Sequence, residues 1–241
     1  MLKLENVSKS YNKGKIKAVD NVNIHVKPGE IFGFLGPNGA GKTTTIKMIV
    51  GLLKPDEGKI YIKNVDNQKE PLKAKKLISY VPDNPKVYER LTGIEYLNFM
   101  ADMYGISKEI RNKRIREYLK VFELEDAVGD LIKSYSHGMK QKIVLIGALL
   151  NDPELFILDE PMVGLDPKSS FKLKEIMRKR CEKGKSVFFS THVLEVAEKL
   201  CNRIAIINKG KIIAQGTMEE LKGQFMNEES LENIFLELTE Q

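Results

Sequence analysis

The chain has 241 residues, 42% hydrophobic and 30% charged, and 39 basic against 33 acidic residues give a formal net charge of +6. Such a length suits one large domain or two intimate subdomains. No N-terminal signal pattern is present and no apolar run approaches the ~18 residues of a membrane span, so a chain soluble by itself is expected. Cys181 and Cys201 stand at no metal-ligand spacing and form no disulfide framework, which fits a reducing cytosol. The lysine excess suits nucleotide, an anionic membrane surface or nucleic acid, or simply a solvated surface.

Leu2 and Leu4 alternate with Lys3 and Glu5, and Val22, Ile24 and Val26 alternate with polar neighbours. Both stretches read as half-buried strands, the second closed by Pro28-Gly29, with Tyr11 in the loop between them. An apolar run over 31–35 then enters Gly36-Pro37-Asn38-Gly39-Ala40-Gly41-Lys42-Thr43, and helix-spaced Ile46, Ile49 and Val50 follow until Gly51. The turn fits G-x-x-x-x-G-K-S/T, a phosphate-binding loop. Its glycines let successive backbone N–H groups converge on phosphate. Lys42 brings charge to the outer phosphates, the Thr43 hydroxyl suits Mg²⁺, and the helix N-terminus adds a partial positive charge. This is a nucleoside triphosphate site. Ile60 to Ile62, after Asp56-Glu57-Gly58, reads as another short strand of an antiparallel layer lying on the buried sheet.

From 84 to 151 the pattern becomes helical. Thr92 and Glu95 have capping-box spacing before Ile94, Leu97, Met100 and Ala101. A second helix, over 109–122, carries many Arg and Lys and reads as an exposed face, and a third follows Ser136. Asn151-Asp152-Pro153 breaks the pattern. Leu155 to Leu158 is an apolar strand that delivers Asp159 and Glu160, residues 169–180 are helical, and Val187 to Phe189 form a buried strand ending at His192. Residues 204–207 and 211–213 flank a turn at Asn208-Lys209-Gly210. The stretch from Met218 on is charged and helical, with no chemistry of its own.

An apolar strand ending in Asp159 is a Walker B pattern, in which the carboxylate holds Mg²⁺. Glu160 leaves the strand in another direction and is free to polarise a water. Together with the upstream phosphate loop the pair points to triphosphate hydrolysis. His192 is placed to stabilise charge at the terminal phosphate. His25, on a strand's polar side, gets no role.

In order and spacing these motifs resemble the nucleotide-binding ATPase subunit of an ATP-binding cassette (ABC) transporter, over roughly residues 1–220. Gly36 to Thr43 matches Walker A, with Thr44 adjoining, and Leu155 to Glu160 matches Walker B plus the catalytic glutamate. Gly164-Leu165-Asp166 matches the D-loop, His192 the switch histidine, and Tyr11 the aromatic that stacks on adenine. Tyr135-Ser136-His137-Gly138-Met139 stands at the signature, where Ser136 and Gly138 retain the contacts to the opposing subunit's nucleotide. The resemblance implies a P-loop α/β core of mostly parallel sheet (1–83 and 152–220) with an antiparallel β layer, a helical subdomain (84–151) and a helical tail (221–241). It implies ATP and Mg²⁺ as cofactors, the metal held by Thr43, Asp159 and Asp83. It also implies an ATP-dependent homodimer, or a heterodimer with a related cassette, on integral membrane permease subunits. The location implied is cytoplasmic and peripheral on the inner face of the cell membrane, with no nucleic acid expected.

The chain departs from the family at His137 and Met139 in the signature, and at Asp83, where glutamine or glutamate is usual. The signature type resembles cassettes of bacterial multi-component exporters. A chromosome-maintenance ATPase needs a long coiled coil for which the interval between the Walker motifs has no room, and translation-associated cassettes carry two such domains. A non-hydrolysing regulatory module is disfavoured by Glu160 and His192. A groove near Asp83 and residues 86–97 is the expected receptor for a short helix of the permease, with Val87, Tyr88 and Leu91 as anchors.

Overall fold

Apolar–polar alternation builds the opening hairpin, in which β1 (Leu2–Tyr11) and β2 (Ile16–Val26) pair antiparallel with Leu2, Leu4, Val22, Ile24 and Val26 buried. The computed structural model describes residues 1–12, 14–224 and 231–239. Tyr11 is not a loop residue: the ladder runs on to its turn, and Tyr11 pairs with Ile16 as the last residue of β1. β3 (Ile31–Leu35) is wholly buried and leads through the glycine-rich turn into α1 (Lys42–Ile49). β4 (Glu57–Ile62) and β5 (Val65–Asp66) complete a four-stranded antiparallel sheet in the order β2-β1-β4-β5.

α2 (Pro71–Lys76) and β6 (Ile78–Val81) come next. α3 (Gly93–Met103) begins in the expected capping box, Thr92 Oγ accepting from Glu95 N and the Glu95 carboxylate accepting from Thr92 N. α4 (Lys108–Phe122) is less of a solvated face than its charges suggest. Arg111 pairs with Asp102 and donates to Asn98, while Arg114 donates to the Leu150 carbonyl and lies 3.7 Å from Asp152. α5 (His137–Leu150) starts at Ser136, whose hydroxyl accepts from Met139 N.

β7 (Leu155–Asp159), α6 (Pro167–Glu182), β8 (Ser186–Thr191), α7 (Leu194–Leu200) and the hairpin of β9 (Arg203–Asn208) with β10 (Lys211–Gly216) complete the second sheet. Its order is β10-β9-β3-β8-β7-β6, parallel except for β10. One apolar core lies between this sheet and the antiparallel sheet with α1. Another joins its opposite face to α3–α6. α8 (Met218–Gln224) and α9 (Leu231–Thr239) are held by a third cluster in which Leu221, Leu231 and Ile234 meet Leu35, Ala197 and Ile204. Of the expected tail, residues 225–230 and 240–241 lie outside the described residues.

Parallel pairing has one consequence for function. Register sets Leu35 beside Thr191 and Asp159 beside Ser190, so the carboxyl ends of β3, β8 and β7 emerge together at one sheet edge. Open parallel sheets bind ligands at such an edge.

Candidate nucleotide site

The loop between β3 and α1 needs its glycines for close approach. A Cβ on Gly36 would stand 2.3 Å from the Ile207 carbonyl oxygen, and one on Gly41, whose φ is +111°, would stand 2.3 Å from that of Ala18. Gly36 and Ala40 face the interior behind the loop. Pro37, Asn38, Gly39, Gly41, Lys42, Thr43 and Thr44 line a cleft of about 210 Å³ that Asp83, Asp159 and Glu160 close from the other side.

Lys42 is only 7% exposed, and its Nζ donates to the Gly36 carbonyl at 2.6 Å and to that of Pro37 at 3.2 Å. Burial lowers its pKa, against the opposing pull of Glu160 and Asp159. Thr43 Oγ1 donates to Asp159 Oδ2 at 3.0 Å, and the Ser190 hydroxyl donates to the other oxygen of Asp159. Burial pushes the Asp159 carboxyl up; hydrogen bonds from Ser190 and Thr43 oppose this, while the charges of Asp83 and Glu160 add to it.

Glu160 sits in the left-handed region at φ 48°, a strained conformation of the kind that gathers at functional sites. Its N–H donates to the Ser190 carbonyl at 3.2 Å, and its Oε2 lies 3.0 Å from His192 Nδ1. Ser190 thus holds both carboxylate residues in place, a part that motif spacing does not reveal. A hydroxyl directly after the apolar run of the strand beside the Walker B strand is the available signal.

The remaining expected residues fall outside the cleft. Tyr11 is 39% exposed at the end of β1, on the hairpin whose second strand supplies Ala18 to the cleft wall. Ser136 caps α5 and Gly138 lies in its first turn, where a Cβ on Gly138 would stand 2.8 Å from the Gly164 carbonyl oxygen. The His137 ring lies directly on Gly164, its Cδ2 2.5 Å from where a Gly164 Cβ would stand. Asp166 caps α6 through Ser169 N at 2.8 Å and pairs with Lys142 at 2.7 Å, contacts that hold its carboxyl well below the usual range.

A separate open groove of about 670 Å³ runs between residues 84–90 and the first turn of α5. Val87 and Tyr88 line it, as expected. Leu91 does not: it packs against the core, and its carbonyl accepts from Ile132 N.

A phosphate loop facing a strand-end Asp-Glu pair across a parallel sheet defines a P-loop nucleoside triphosphatase. The ABC transporter family model matches residues 19–163. The ABC-type transporter ATP-binding protein EcsA of Bacillus subtilis is 37% identical over 242 residues, 100% of this chain and 97% of EcsA. The linearmycin resistance ATP-binding protein LnrL of the same organism is 42% identical over 221 residues, 92% of this chain and 70% of LnrL. Among solved structures, an ATP-binding subunit of an ABC transporter superposes with a TM-score of 0.94 at 35% identity, covering 99% of both chains. The dimeric post-hydrolysis state of the cassette MJ0796 bound to ADP and Pi superposes at 0.82 with 32% identity, covering 90% of this chain and 99% of that one. The chain belongs to the ABC transporter family as an ATP-binding subunit, and it is an ATPase. No helix among the described residues is long and apolar enough to cross a membrane.

Proposed function

We propose that two copies of this chain close head to tail on two ATP molecules and so energise a separate integral membrane permease. The observation that carries this reading is the convergence of Lys42, Thr43, Asp83, Asp159 and Glu160 on one cleft at the sheet edge. The loop amides and Lys42 bind the phosphates, and Tyr11 packs on adenine. Ser136 and Gly138 grip the γ-phosphate held by the other copy, which is either identical or a related cassette. Residues 84–151 act as the helical subdomain and residues 1–83 with 152–220 as the core.

The donor set at the cleft fits Mg²⁺. The Thr43 hydroxyl and the Asp159 carboxylate are hard oxygen ligands 3.0 Å apart, and a buried carboxylate flanked by Asp83 and Glu160 favours a cation. Thr43, Asp159 and Asp83, which line the same cleft, would hold the ion. Bound there, Mg²⁺ would neutralise negative charge on the phosphates. Glu160 then accepts a proton from the attacking water as that water bonds to the γ-phosphorus and the bond from the γ-phosphorus to the β-phosphate oxygen breaks, its electron pair leaving with ADP. His192, 3.0 Å from Glu160, orients that carboxylate and reaches toward the developing charge.

The permease docks in the groove by residues 84–90, where Tyr88 is 59% exposed and packs edge-on against Phe99. That docking makes the protein peripheral on the inner face of the membrane. Steady-state phosphate release tests the catalytic core of the reading. Glu160→Gln should slow it by about 100-fold or more while ATP still binds. Wild-type turnover in that variant would remove Glu160 from the mechanism.

A further inference from the structure

At the far end of α1 from the phosphate loop, the chain turns through Gly51 to Lys54 and meets the segment leading into α2. The two segments frame an open hollow of about 460 Å³ lined by Leu52, Lys54, Gln68 and Lys69 among others. Leu52 N donates to the Lys47 carbonyl at 2.8 Å, which fixes Lys47 at the same end of α1. Leu52 is 62% exposed and Leu72, in the first turn of α2, is 77% exposed. Lys75 and Lys76 lie three and four residues on from Leu72 and share its side of the helix. The Lys75 Cε is 3.6 Å from where a Gly51 Cβ would stand, so this side faces the Leu52 turn.

The charge left unpaired on this surface is positive. Lys73 pairs with Glu70, and the Asp66 carboxylate is occupied by the N–H groups of Gln68 and Lys69. Lys47, Lys54, Lys69, Lys75 and Lys76 make no ion pair with any described residue. Two protruding leucines among five uncompensated lysines do nothing for the core, whose side of α2 is filled by buried Ala74. Apolar tips beside flexible cations match a bilayer whose surface is anionic: leucines enter the headgroup boundary while lysine stems lie along it and their ammonium groups meet phosphate.

We propose that the face formed by Leu52, Leu72 and the lysines around them is a docking surface for anionic phospholipid, used by this chain in addition to any protein partner. Lipid contact would orient the ATPase on the bilayer without engaging the phosphate cleft.

The test is flotation of the purified full chain with protein-free vesicles of phosphatidylcholine alone or mixed equally with phosphatidylglycerol. Because no permease is present, failure here leaves the docking reading of the other groove standing. The wild type should float with the phosphatidylglycerol vesicles, stay behind with phosphatidylcholine, and detach at high salt. Lys69→Gln/Lys75→Gln/Lys76→Gln should weaken binding tenfold or more, since each lysine at an anionic surface contributes several-fold. Leu52→Ser/Leu72→Ser should also weaken it at low salt, although the charge of the face is unchanged. Both variants should keep wild-type ATPase activity and thermal midpoint, which shows that they fold. Equal binding to both vesicle types, variants that bind like the wild type, or a wild type that floats with neither vesicle would overturn the proposal. The last result would assign the face to an acidic protein instead.

Discussion

Lys42 Nζ lies 2.6 Å from the carbonyl oxygen of Gly36, so the loop's one charged side chain is held by the loop's own backbone inside the cleft it serves. The ammonium is therefore aimed before nucleotide arrives, and little side-chain entropy remains to be lost on binding. Lys42→Ala should abolish ATP affinity at micromolar concentrations and leave the fold intact. Calorimetry that finds undiminished binding would remove the phosphate-loop assignment.

Asp83 lines the same cleft and adds negative charge beside Asp159. A carboxylate is shorter here than the usual glutamine, and its charge helps hold the buried Asp159 carboxyl up. Asp83→Gln removes that repulsion and lengthens the reach, so ATPase turnover should be equal or higher. A tenfold loss, equivalent to about 1.4 kcal/mol of barrier, would show that the aspartate is tuned to this site.

His137 occupies the space that a side chain at position 164 would need, and Gly164 has a φ of +79°. Gly164→Ala should destabilise the chain by about 1–3 kcal/mol through clash and backbone strain together. In a His137→Gly background the clash vanishes and the strain remains, so the cost should fall measurably in a double-mutant cycle. Strictly additive thermal midpoints would mean that the two turns do not touch in solution.

Elements whose chemistry is local are legible in the sequence itself. The phosphate loop, the strand ending in Asp159, the Thr92–Glu95 capping box and the turn at Asn208 to Gly210 each declare themselves within a few residues. β6 does not, because Ser79 and Tyr80 interrupt its apolar run, although Ser79 is buried. α2 and α7, of six and seven residues, are too short for a 3.6-residue period to register. The contacts of Ser190 with Asp159 and of His137 with Gly164 depend on strand order and loop placement, which no spacing along the chain encodes. Arg111 and Arg114 mislead for the same reason: their acidic and carbonyl partners lie on other elements.

Asp152 gathers Arg180, Lys185 and Arg114 at the point where the chain enters β7. Burial would raise its pKa, but the hydrogen bond from Lys185 and the charge of Arg180 outweigh burial and hold it below the usual value. Arg180 is 6% exposed, so Asp152→Asn leaves a buried cation short of its counter-charge. The cost should be about 1–2 kcal/mol, below that of a fully buried pair because the Asp152 side chain is 43% exposed. A carboxyl whose pKa is lower folded than unfolded stabilises the fold above the ordinary value of about 3.9 and loses that contribution as pH falls. Denaturant titrations should therefore show the gap between wild type and variant narrowing below about pH 4. A gap that stays constant into acid would mean that the ion cluster is not its source.

In the proposed mechanism Glu160 and Ser136 work on one ATP from two copies of the chain. Glu160→Gln keeps the shape of the side chain and removes its charge, so ATP bound at Lys42 and Thr43 stays uncleaved and its γ-phosphate remains in place for the partner's Ser136 turn to grip. Light scattering after size-exclusion chromatography, in saturating ATP and Mg²⁺, reads this directly. Glu160→Gln should run as a dimer where the wild type is mostly monomer, more strongly at low salt, and adding Ser136→Arg should return it to monomer. A Glu160→Gln chain that stays monomeric, or a dimer indifferent to Ser136→Arg, would contradict the shared site.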